Sequence, residues 1–412
     1  MGFFRKELLY VIVIIFGSMN FGETMAYWSP ANKQMTADLQ ISDFAGTVFN
    51  TLPAFMGIIT PFFIHIPINK LGRRLTSCIT GISAVVGWLL IPIANSKLWL
   101  FAFIGRTILG LTVGSFSTVC PLYITEISPT EVRGSYGILH QFGVVIGACL
   151  CYLLGIWINW RYLALILALQ PFIHVLFIYC VPESPHQEHA EIPGAKKESL
   201  FSKKFVKPIL VSSLLMFFQQ FSGCNGFLSN LEKIFSDAGS SIEPSVAAFL
   251  VGLSGLVATG FSAPLVACIG HRPAWHISSF LCAMALLIAA LNYWFNWSKV
   301  IPAIMMILDN LMFGFGLGPI PWVITPELFP DSVRPVATSI MTTLNWTFAA
   351  IVMMIWPPMS KYLKFGVSMA IYAGICFVAF GWGILMLPDT HGKEMGAIFE
   401  EKAEPLLSNN NN

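Results

Sequence analysis

Long apolar stretches, separated by short polar segments, run along almost the whole chain. Each holds about 20 mostly apolar residues, the length that an α-helix needs to cross the hydrocarbon core of a bilayer. Glycine and proline occur inside several stretches, where neighbouring helices in a membrane can satisfy the freed backbone groups. The pattern predicts twelve transmembrane helices. They cover approximately residues 8–28, 44–66, 75–95, 98–120, 134–157, 160–181, 205–229, 246–268, 274–294, 300–326, 334–357 and 365–387.

The composition agrees with a membrane protein and excludes an ordinary soluble one. The chain has 412 residues, of which 56% are hydrophobic and 11% charged, and its mean hydropathy is +0.71. A soluble protein needs far more polar surface to cover its core. The formal net charge of +2, without a long basic block, does not predict binding to nucleic acid. We expect a multi-pass protein that lies in the lipid bilayer.

The chain lacks the sequence signals of a metal site, a nucleotide site or a cleaved leader. Its nine cysteines are scattered, mostly in apolar stretches, and none has metal-ligand spacing. No phosphate-binding loop of the P-loop type occurs. We therefore predict no metal, no cofactor and no enzymatic activity. Arg5 and Lys6 precede the first apolar stretch, but no small-residue cleavage site is obvious after it, so we interpret that stretch as a retained helix.

Lysine and arginine are distributed unevenly between the two sides of the predicted bundle. With the amino terminus inside, the inner segments hold fifteen of the 23 basic residues, the outer loops hold seven, and Arg106 lies within the fourth span. Cytoplasmic segments of membrane proteins carry an excess of positive charge. The distribution predicts that both termini are cytoplasmic, and we expect the plasma membrane. We call the cytoplasmic end inner and the opposite end outer.

Three motifs occur twice, in the same order, 198 to 206 residues apart. The repeat predicts an all-α membrane protein of two six-helix bundles in parallel arrangement. The first bundle covers residues 1–183 and the second 205–390, with a cytoplasmic linker at 184–204 and a cytoplasmic tail at 391–412. In the first pair, Gly72 corresponds to Gly270. In the second, Glu126 and Arg133 correspond to Glu327 and Arg334. In the third, Pro182-Glu183-Ser184 corresponds to Pro388-Asp389-Thr390.

The repeated charges fall at the predicted inner ends of helices. Parallel halves imply a site near the midplane at their interface, opened to each side by rocking. We interpret the charges as a clasp that joins the two bundles while the inner side is closed. Topology anchors or local helix caps are the alternative. The predicted clasp consists of Arg73, Arg74, Glu126, Arg133, Glu327 and Arg334.

Further motifs accompany the repeat in a specific order. They include Gln219-Gln220-Phe221-Ser222-Gly223-Cys224-Asn225, Gly318-Pro319-Ile320-Pro321-Trp322 and Glu327-Leu328-Phe329-Pro330. Together with the repeated residues, this set resembles the sugar porters of the major facilitator superfamily over nearly the whole chain. The resemblance implies sugar transport. A hexose is the first choice, and a pentose, a polyol or myo-inositol are alternatives.

Polar side chains within apolar spans are the candidate substrate residues. Sugar hydroxyls need neutral groups that both donate and accept hydrogen bonds, as amides do. In similar sugar porters, the sugar is contacted by the residues at the positions of Gln141, Gln219, Gln220, Asn225 and Trp322. Asn345 adds a further amide in span eleven. The alternative is that these amides bond between helices. The set is Gln141, Gln219, Gln220, Asn225, Trp322 and Asn345.

The chain departs from similar glucose carriers at several positions of the second bundle. Ser229 and Asn230 stand where those carriers have a tyrosine pair. A span-eight asparagine is replaced near Gly255, a span-ten acid by Gly314, and a span-eleven amide by Ala349. The resemblance therefore implies fewer sugar contacts from the second bundle.

Two acids and one base are predicted inside spans, where charge is costly and usually functional. They are Glu23 in span one, Arg106 in span four and Asp309 in span ten. Similar proton-coupled porters pair a first-span aspartate with the arginine matching Arg106, but here Thr24 occupies the aspartate position. Glu23 lies one residue before that position. One residue turns a helix by about 100°, so we expect the Glu23 side chain to point away from Arg106. We favour facilitative uniport. Proton symport through Glu23, or a fixed Glu23–Arg106 pair, is the alternative.

A second functional class is a sensor that binds sugar without moving it. Receptors with this resemblance tend to carry long cytoplasmic tails. Only about 24 residues follow Pro388 here, which favours a carrier. The sequence leaves the oligomeric state open.

Overall fold

The computed structural model describes residues 6–128, 133–184, 200, 202–237, 241–330 and 333–388. Within these ranges every regular element is helical, and there is no strand. The α-helices are α1 (Lys6–Ala26), α2 (Trp28–Leu39), α3 (Asp43–Ile59), α4 (His65–Leu90), α5 (Leu100–Ile127), α6 (Arg133–Gly155), α7 (Trp160–Leu167), α8 (Leu169–Phe177), α9 (Val206–Phe221), α10 (Cys224–Leu228), α11 (Leu231–Asp237), α12 (Pro244–Ile269), α13 (His271–Phe295), α14 (Ile301–Phe315), α15 (Ile320–Glu327) and α16 (Arg334–Met386).

The all-α membrane architecture predicted from hydropathy is confirmed. In the described part of the chain, nine helical segments are long and apolar enough to cross a membrane. One of them, Val336–Met386, contains Lys364 with a non-helical backbone, so it covers two predicted spans. The shorter helix α3 and helix α6 correspond to predicted spans two and five. This accounting is compatible with twelve crossings, and their number stays a prediction.

Two of the predicted spans are broken into two helices each. Span seven divides into α9 and α10 at Gly223, whose φ of 97° lies in the left-handed region. Glycine adopts this conformation without the steric penalty of a side chain. Span ten divides into α14 and α15 between Gly316 and Pro319, where proline lacks the backbone donor that a continuing helix needs. The apolar pattern does not locate these breaks, because average hydropathy does not register a change of backbone conformation.

The outer segment after span one forms a helix, α2, that the apolar pattern does not predict. Asp38, in its last turn, accepts hydrogen bonds from Trp160 Nε1 at 3.0 Å and from Arg161 Nη1 at 2.6 Å. The bond from Trp160 and the charge of Arg161 lower the pKa of the Asp38 carboxyl from its ordinary value. Tyr27 Oη, just before α2, donates to the Trp160 carbonyl oxygen at 2.8 Å. Polar contacts therefore hold this helix against the start of α7.

Helix α6 belongs to the first half of the chain and lies at its interface with the second half. It packs against α1 on one side and α12 on the other. A Cβ atom added to Gly22 would lie 1.8 Å from the Val144 carbonyl oxygen, and one added to Gly147 would lie 2.1 Å from that of Met19. Small residues allow membrane helices to approach this closely. These glycines bring α1 against α6, which carries Gln141.

Candidate substrate site

Four predicted substrate residues form one hydrogen-bonded group in the second half of the chain. Gln220 Nε2 donates to Asn345 Oδ1 at 2.9 Å, and Asn345 Nδ2 donates to Gln219 Oε1 at 2.6 Å. Asn225 Nδ2 donates to Gln220 Oε1 at 2.6 Å. Gln219 Nε2 donates to the carbonyl oxygen of Gly318. We call these four side chains the amide cluster.

The helix breaks place the amide cluster. Its two glutamines lie in the last turn of α9, and Asn225 follows the break at Gly223. Gly318 lies in the turn between α14 and α15, outside any helix, so its carbonyl oxygen is available to a side chain. Asn345 reaches the cluster from α16. Breaks in two helices and one side chain from a third therefore create the site.

The amide cluster is buried and neutral. Gln219, Gln220 and Asn345 expose 4%, 4% and 3% of their surface. Buried polar groups need hydrogen-bond partners, and here the amides supply them for one another. An amide oxygen can accept two hydrogen bonds, and an amide nitrogen can donate two. The cluster therefore joins helices and also offers the chemistry that sugar hydroxyls require.

Gln141 and Trp322 lie apart from the amide cluster. Gln141 is exposed on α6, and Trp322 exposes 41% of its surface on α15. Within the described part of the chain, no hydrogen bond joins either side chain to the cluster. The structure thus brings together four of the six predicted substrate residues and leaves these two with open surfaces.

Hydrogen bonds join the two halves beside the amide cluster. Asn50 Nδ2, on α3, donates to Ser229 Oγ at the end of α10, at 3.2 Å. Tyr152 Oη, on α6, donates to the Leu228 carbonyl oxygen at 2.6 Å. Both bonds lie on the outer side of the cluster. The sequence carried one signal for them, since Asn50 is a polar residue inside an apolar span, but it did not indicate the partner.

Glu232, in α11, lies at a further outer contact between the halves. Its backbone N–H donates to Ser29 Oγ at 3.2 Å. Burial raises the pKa of the Glu232 carboxyl to about 7, the Glu243 carboxylate adds to the rise, and Lys33 opposes it. This contact therefore contains a group that changes charge near neutral pH.

Trp346 packs across the interface near the midplane. Its ring centroid lies 5.4 Å from that of Phe21 on α1. A Cβ atom added to Gly57, on α3, would lie 2.7 Å from the Trp346 ring. The residue next to Asn345 therefore forms an apolar contact between the halves, a role that the sequence did not indicate.

Two of the predicted clasp residues, Arg73 and Glu126, form an ion pair at the inner end of the first half. Arg73 Nη2 donates to Glu126 Oε1 at 2.8 Å, and Arg73 Nε lies 2.8 Å from Glu126 Oε2. The Glu183 carboxylate accepts the backbone N–H groups of Arg73 at 2.8 Å and of Arg74 at 3.2 Å. These contacts lie within one half, so pairing across the halves stays a prediction. The other clasp side chains lie outside those that the structure describes: Arg133, Glu327 and Arg334.

Glu23 and Arg106 are both fully buried, but the described structure contains no ion pair between them. Arg106 donates to the carbonyl oxygens of Thr24 at 2.5 Å and Phe49 at 3.1 Å, and its guanidinium lies 5.1 Å from the Phe49 ring centroid. Both Glu23 carboxylate oxygens lack a hydrogen-bond partner among the described residues. Arg106 thus binds the backbone of Thr24, the residue that follows Glu23.

Asp309, the third predicted coupling residue, is buried on α14 in the second half. Its backbone carbonyl oxygen accepts a hydrogen bond from Cys282 Sγ at 3.5 Å. No basic side chain forms an ion pair with it in the described ranges. The structure therefore places Asp309 in the second half and Glu23 and Arg106 in the first.

Comparison with known proteins decides the family. A sequence profile for the family described as sugar (and other) transporter matches residues 10–189 and residues 186–401. The chain belongs to this family. It is a transporter of the sugar porter family in the major facilitator superfamily and not an enzyme, as the motifs predicted.

Curated relatives resemble the chain over most of its length. The facilitated trehalose transporter Tret1 of Apis mellifera ligustica is 28% identical over 98% of this chain and 89% of its own length. Sugar transporter ERD6-like 1 of Arabidopsis thaliana is 30% identical over 94% of this chain and 92% of its own length.

Solved structures share the fold. The inward-open conformation of the xylose transporter XylE from E. coli superposes with a TM-score of 0.84 at 21% identity, covering 96% of this chain and 99% of that chain. A crystal structure of a D-xylose–proton symporter superposes with a TM-score of 0.82 at 22% identity, covering 93% and 98%. At these identities the likeness establishes the architecture, and the chemistry of the site rests on the residues above.

Proposed function

We propose that the protein carries a hexose across a membrane by alternating access. The observation that supports this proposal is the amide cluster beside the interface between the halves, where four neutral side chains bond to one another and to the Gly318 carbonyl oxygen at a helix break. Hexose hydroxyls are neutral donors and acceptors that can exchange with such bonds. Gln141 and Trp322 would complete the site with an exposed amide and an aromatic face. The names of the relatives, a facilitated trehalose transporter and a sugar transporter, agree with a sugar substrate.

We infer that the structure represents an inward-facing arrangement. The hydrogen bonds between the halves, from Asn50 to Ser229 and from Tyr152 to Leu228, lie on the outer side of the amide cluster. Opening towards the outside requires these bonds to break while the inner ends approach each other. The repeated Glu and Arg residues would then form the inner clasp, with the Arg73–Glu126 pair as its part in the first half.

The two bundles, the linker and the orientation belong to the same proposal. A boundary at residues 184–204 divides the chain between the two copies of the repeat. The excess of Lys and Arg on one side supports cytoplasmic termini. We propose the plasma membrane as the location.

Facilitative uniport is the transport mode that we propose. Arg106 donates to backbone carbonyl oxygens and not to Glu23. Among the described residues, Glu23 has no ion pair that protonation would break, so the structure offers no pair through which a proton could drive transport. The name of the first relative, a facilitated transporter, agrees with this mode.

Proton symport is the second candidate, and the buried Glu23 favours it. An ionised carboxylate buried without a partner is costly, so a bound proton would stabilise this arrangement. A site that binds a proton in one arrangement and releases it in another can couple sugar movement to a proton gradient. The name of one solved neighbour, a proton symporter, agrees with this alternative.

Uptake by the full chain in proteoliposomes tests both parts of the proposal. Labelled D-glucose, D-xylose, myo-inositol and trehalose would be supplied separately, with empty liposomes as the control. We expect saturable D-glucose uptake that stops at equilibrium. Absence of uptake for every sugar would contradict the proposed function.

The same vesicles with an inward proton gradient separate the two modes. Uniport predicts that the gradient does not drive glucose above its outside concentration. Accumulation that Glu23→Gln abolishes, with counterflow exchange intact, would contradict uniport and support symport.

A further inference from the structure

Asn310, within α14, carries an amide outside the amide cluster and outside the set predicted from the sequence. It is half-buried, and its Nδ2 donates to the Val251 carbonyl oxygen at 2.7 Å and approaches Ser254 Oγ at 3.4 Å. Both partners belong to α12. The side chain therefore lies across the surface of a neighbouring helix.

The lack of a side chain at Gly255 makes this position possible. A Cβ atom added there would lie 2.7 Å from Asn310 Nδ2 and 3.6 Å from Val145 Cγ1 of α6. The first distance is far shorter than an ordinary contact, so the Asn310 amide occupies the space over Gly255. Because α6 belongs to the first half and α12 to the second, Asn310 reaches the interface between the halves.

Asn310 also lies near the helix face that carries Gln141 and near the amide cluster. Val145 follows Gln141 by four residues on α6, so the two side chains share a helix face. On its other side, Asn310 lines a small cavity together with Cys224, whose Sγ lies 4.0 Å from Gln220 Oε1. A sugar that contacts both Gln141 and the amide cluster would pass next to Asn310.

The chemistry of Asn310 suits such a contact. Its nitrogen is engaged with α12, which fixes the orientation of the amide. Its carbonyl oxygen accepts no hydrogen bond from any residue within the described ranges. An amide oxygen has two lone pairs, and a sugar hydroxyl is a matching donor.

We propose that Asn310 is a specificity-determining residue, whose carbonyl oxygen accepts a hydrogen bond from one hydroxyl of the bound sugar. The proposal rests on the proposed function and adds a contact from α14 to the site. The competing explanation is that Asn310 only joins α14 to α12.

Competition by sugars that each lack one hydroxyl separates these explanations. The full chain in proteoliposomes would take up labelled D-glucose in competition with its 2-, 3-, 4- and 6-deoxy analogues. We expect Asn310→Ala to weaken D-glucose about two- to tenfold, the range for one hydrogen bond. We also expect one analogue, which lacks the partner hydroxyl, to bind wild type and variant equally. Equal weakening of all analogues, or no weakening, would overturn the proposal.

A second variant tests the geometry without removing the amide. Gly255→Ala places a methyl group 2.7 Å from Asn310 Nδ2, so the amide must move. It should spare the same analogue as Asn310→Ala, and a different pattern would overturn the proposal. Ser254→Ala is the matched control, because it removes only the longer contact to the nitrogen, and we expect its affinities to stay within about twofold of wild type.

The outcome also distinguishes this inference from the proposed function. If the wild-type protein takes up no sugar, the proposed function fails. If the wild-type protein takes up D-glucose and Asn310→Ala affects all analogues equally, only the specificity role fails. Thermal stability of each purified variant shows whether a loss of uptake reflects loss of folding.

Discussion

The chain buries polar groups in two different ways, as one site in each half shows. In the first half, Glu23 and Arg106 are ionisable groups with no exposed surface, and the described structure contains no ion pair between them. In the second half, the amide cluster is largely buried as well, yet its members are neutral and bond to one another. The first arrangement leaves carboxylate oxygens without partners, and the second leaves its amides paired.

This difference assigns different tasks to the halves. A hydrogen bond between neutral amides can be exchanged for one to a sugar hydroxyl with a small net change in free energy. An ionised carboxylate that is buried without a partner is costly, and binding a proton or a cation removes that cost. The second half is therefore suited to substrate recognition, and the first half to stabilising one arrangement of the helices.

Breaking the amide cluster should have the largest effect. Gln219→Ala leaves Asn345 Nδ2 and the Gly318 carbonyl oxygen without their partner in a buried site, and each unsatisfied group costs about 1–3 kcal/mol. We expect glucose uptake to fall by more than about tenfold. Initial uptake rates, normalised to reconstituted protein, measure this.

Gln141→Ala is the matched control for the cluster. Gln141 is an exposed amide outside the cluster, so its removal leaves no cluster member unpaired. We expect only a rise in KM of about two- to tenfold, the value of one hydrogen bond. Equal effects of the two variants would contradict a cooperative cluster.

Replacing the two buried ionisable side chains of the first half should affect stability unequally. Arg106→Ala removes charged hydrogen bonds to Thr24 and Phe49, each typically contributing about 1.5–3 kcal/mol, so we expect a clearly lower Tm. Glu23→Gln breaks no observed bond and should leave Tm unchanged or raise it. Thermal unfolding of the purified protein measures both. A similar loss in both variants would indicate that the two residues act as a pair.

Neutralising the repeated arginines tests whether the halves are equivalent at their inner ends. Arg133→Ala and Arg334→Ala should weaken the clasp and favour the inward-facing arrangement. Labelling of a cysteine introduced at the inner mouth should rise by about 1.5- to fivefold, the range expected for surface ion pairs. Lys97→Ala, in the predicted outer loop, is the control. Lost uptake without increased labelling would favour a role in topology or folding.

The outer contact should respond to pH, with the smallest effect. The pKa of Glu232 is about 7 in this contact, and opening to water would return it towards its ordinary value near 4.5. Below that ordinary value the group is neutral in both arrangements. As pH rises to about 7 it ionises more readily when the contact is open, so opening becomes easier, with no further change at higher pH. Because Glu232 is partly solvated, we expect about a twofold change.

Labelling of Ser229→Cys from the outside, between pH 5 and pH 8, measures this opening. The same experiment with Glu232→Gln is the control, and we expect it to show no rise over this range beyond the reactivity of the cysteine itself. A rise that persists in the Glu232→Gln variant would assign the pH dependence to another group.

Hydropathy and the internal repeat were sufficient to predict the all-α membrane architecture, and the resemblance of the ordered motifs to sugar porters predicted the family. A helix that crosses a lipid bilayer needs about 20 mostly apolar residues, so each crossing is visible in the sequence as an apolar stretch of that length. The same reasoning identified Gln219, Gln220 and Asn345, because an amide inside an apolar run is conspicuous. These features are local along the chain.

The tertiary structure decided the contacts between distant residues. Gln219 and Asn345 are separated by 126 positions, and their bond forms because α9 packs against α16. The open space at Gly255, which Asn310 fills, is another such contact. Glu23 and Arg106 have the composition of an ion pair, yet helix rotation directs Arg106 to the carbonyl oxygen of Thr24. A hydrogen bond requires a donor–acceptor distance correct to within a few tenths of an ångström, and a suitable angle. Hydropathy averaged over a helix contains no information at that scale.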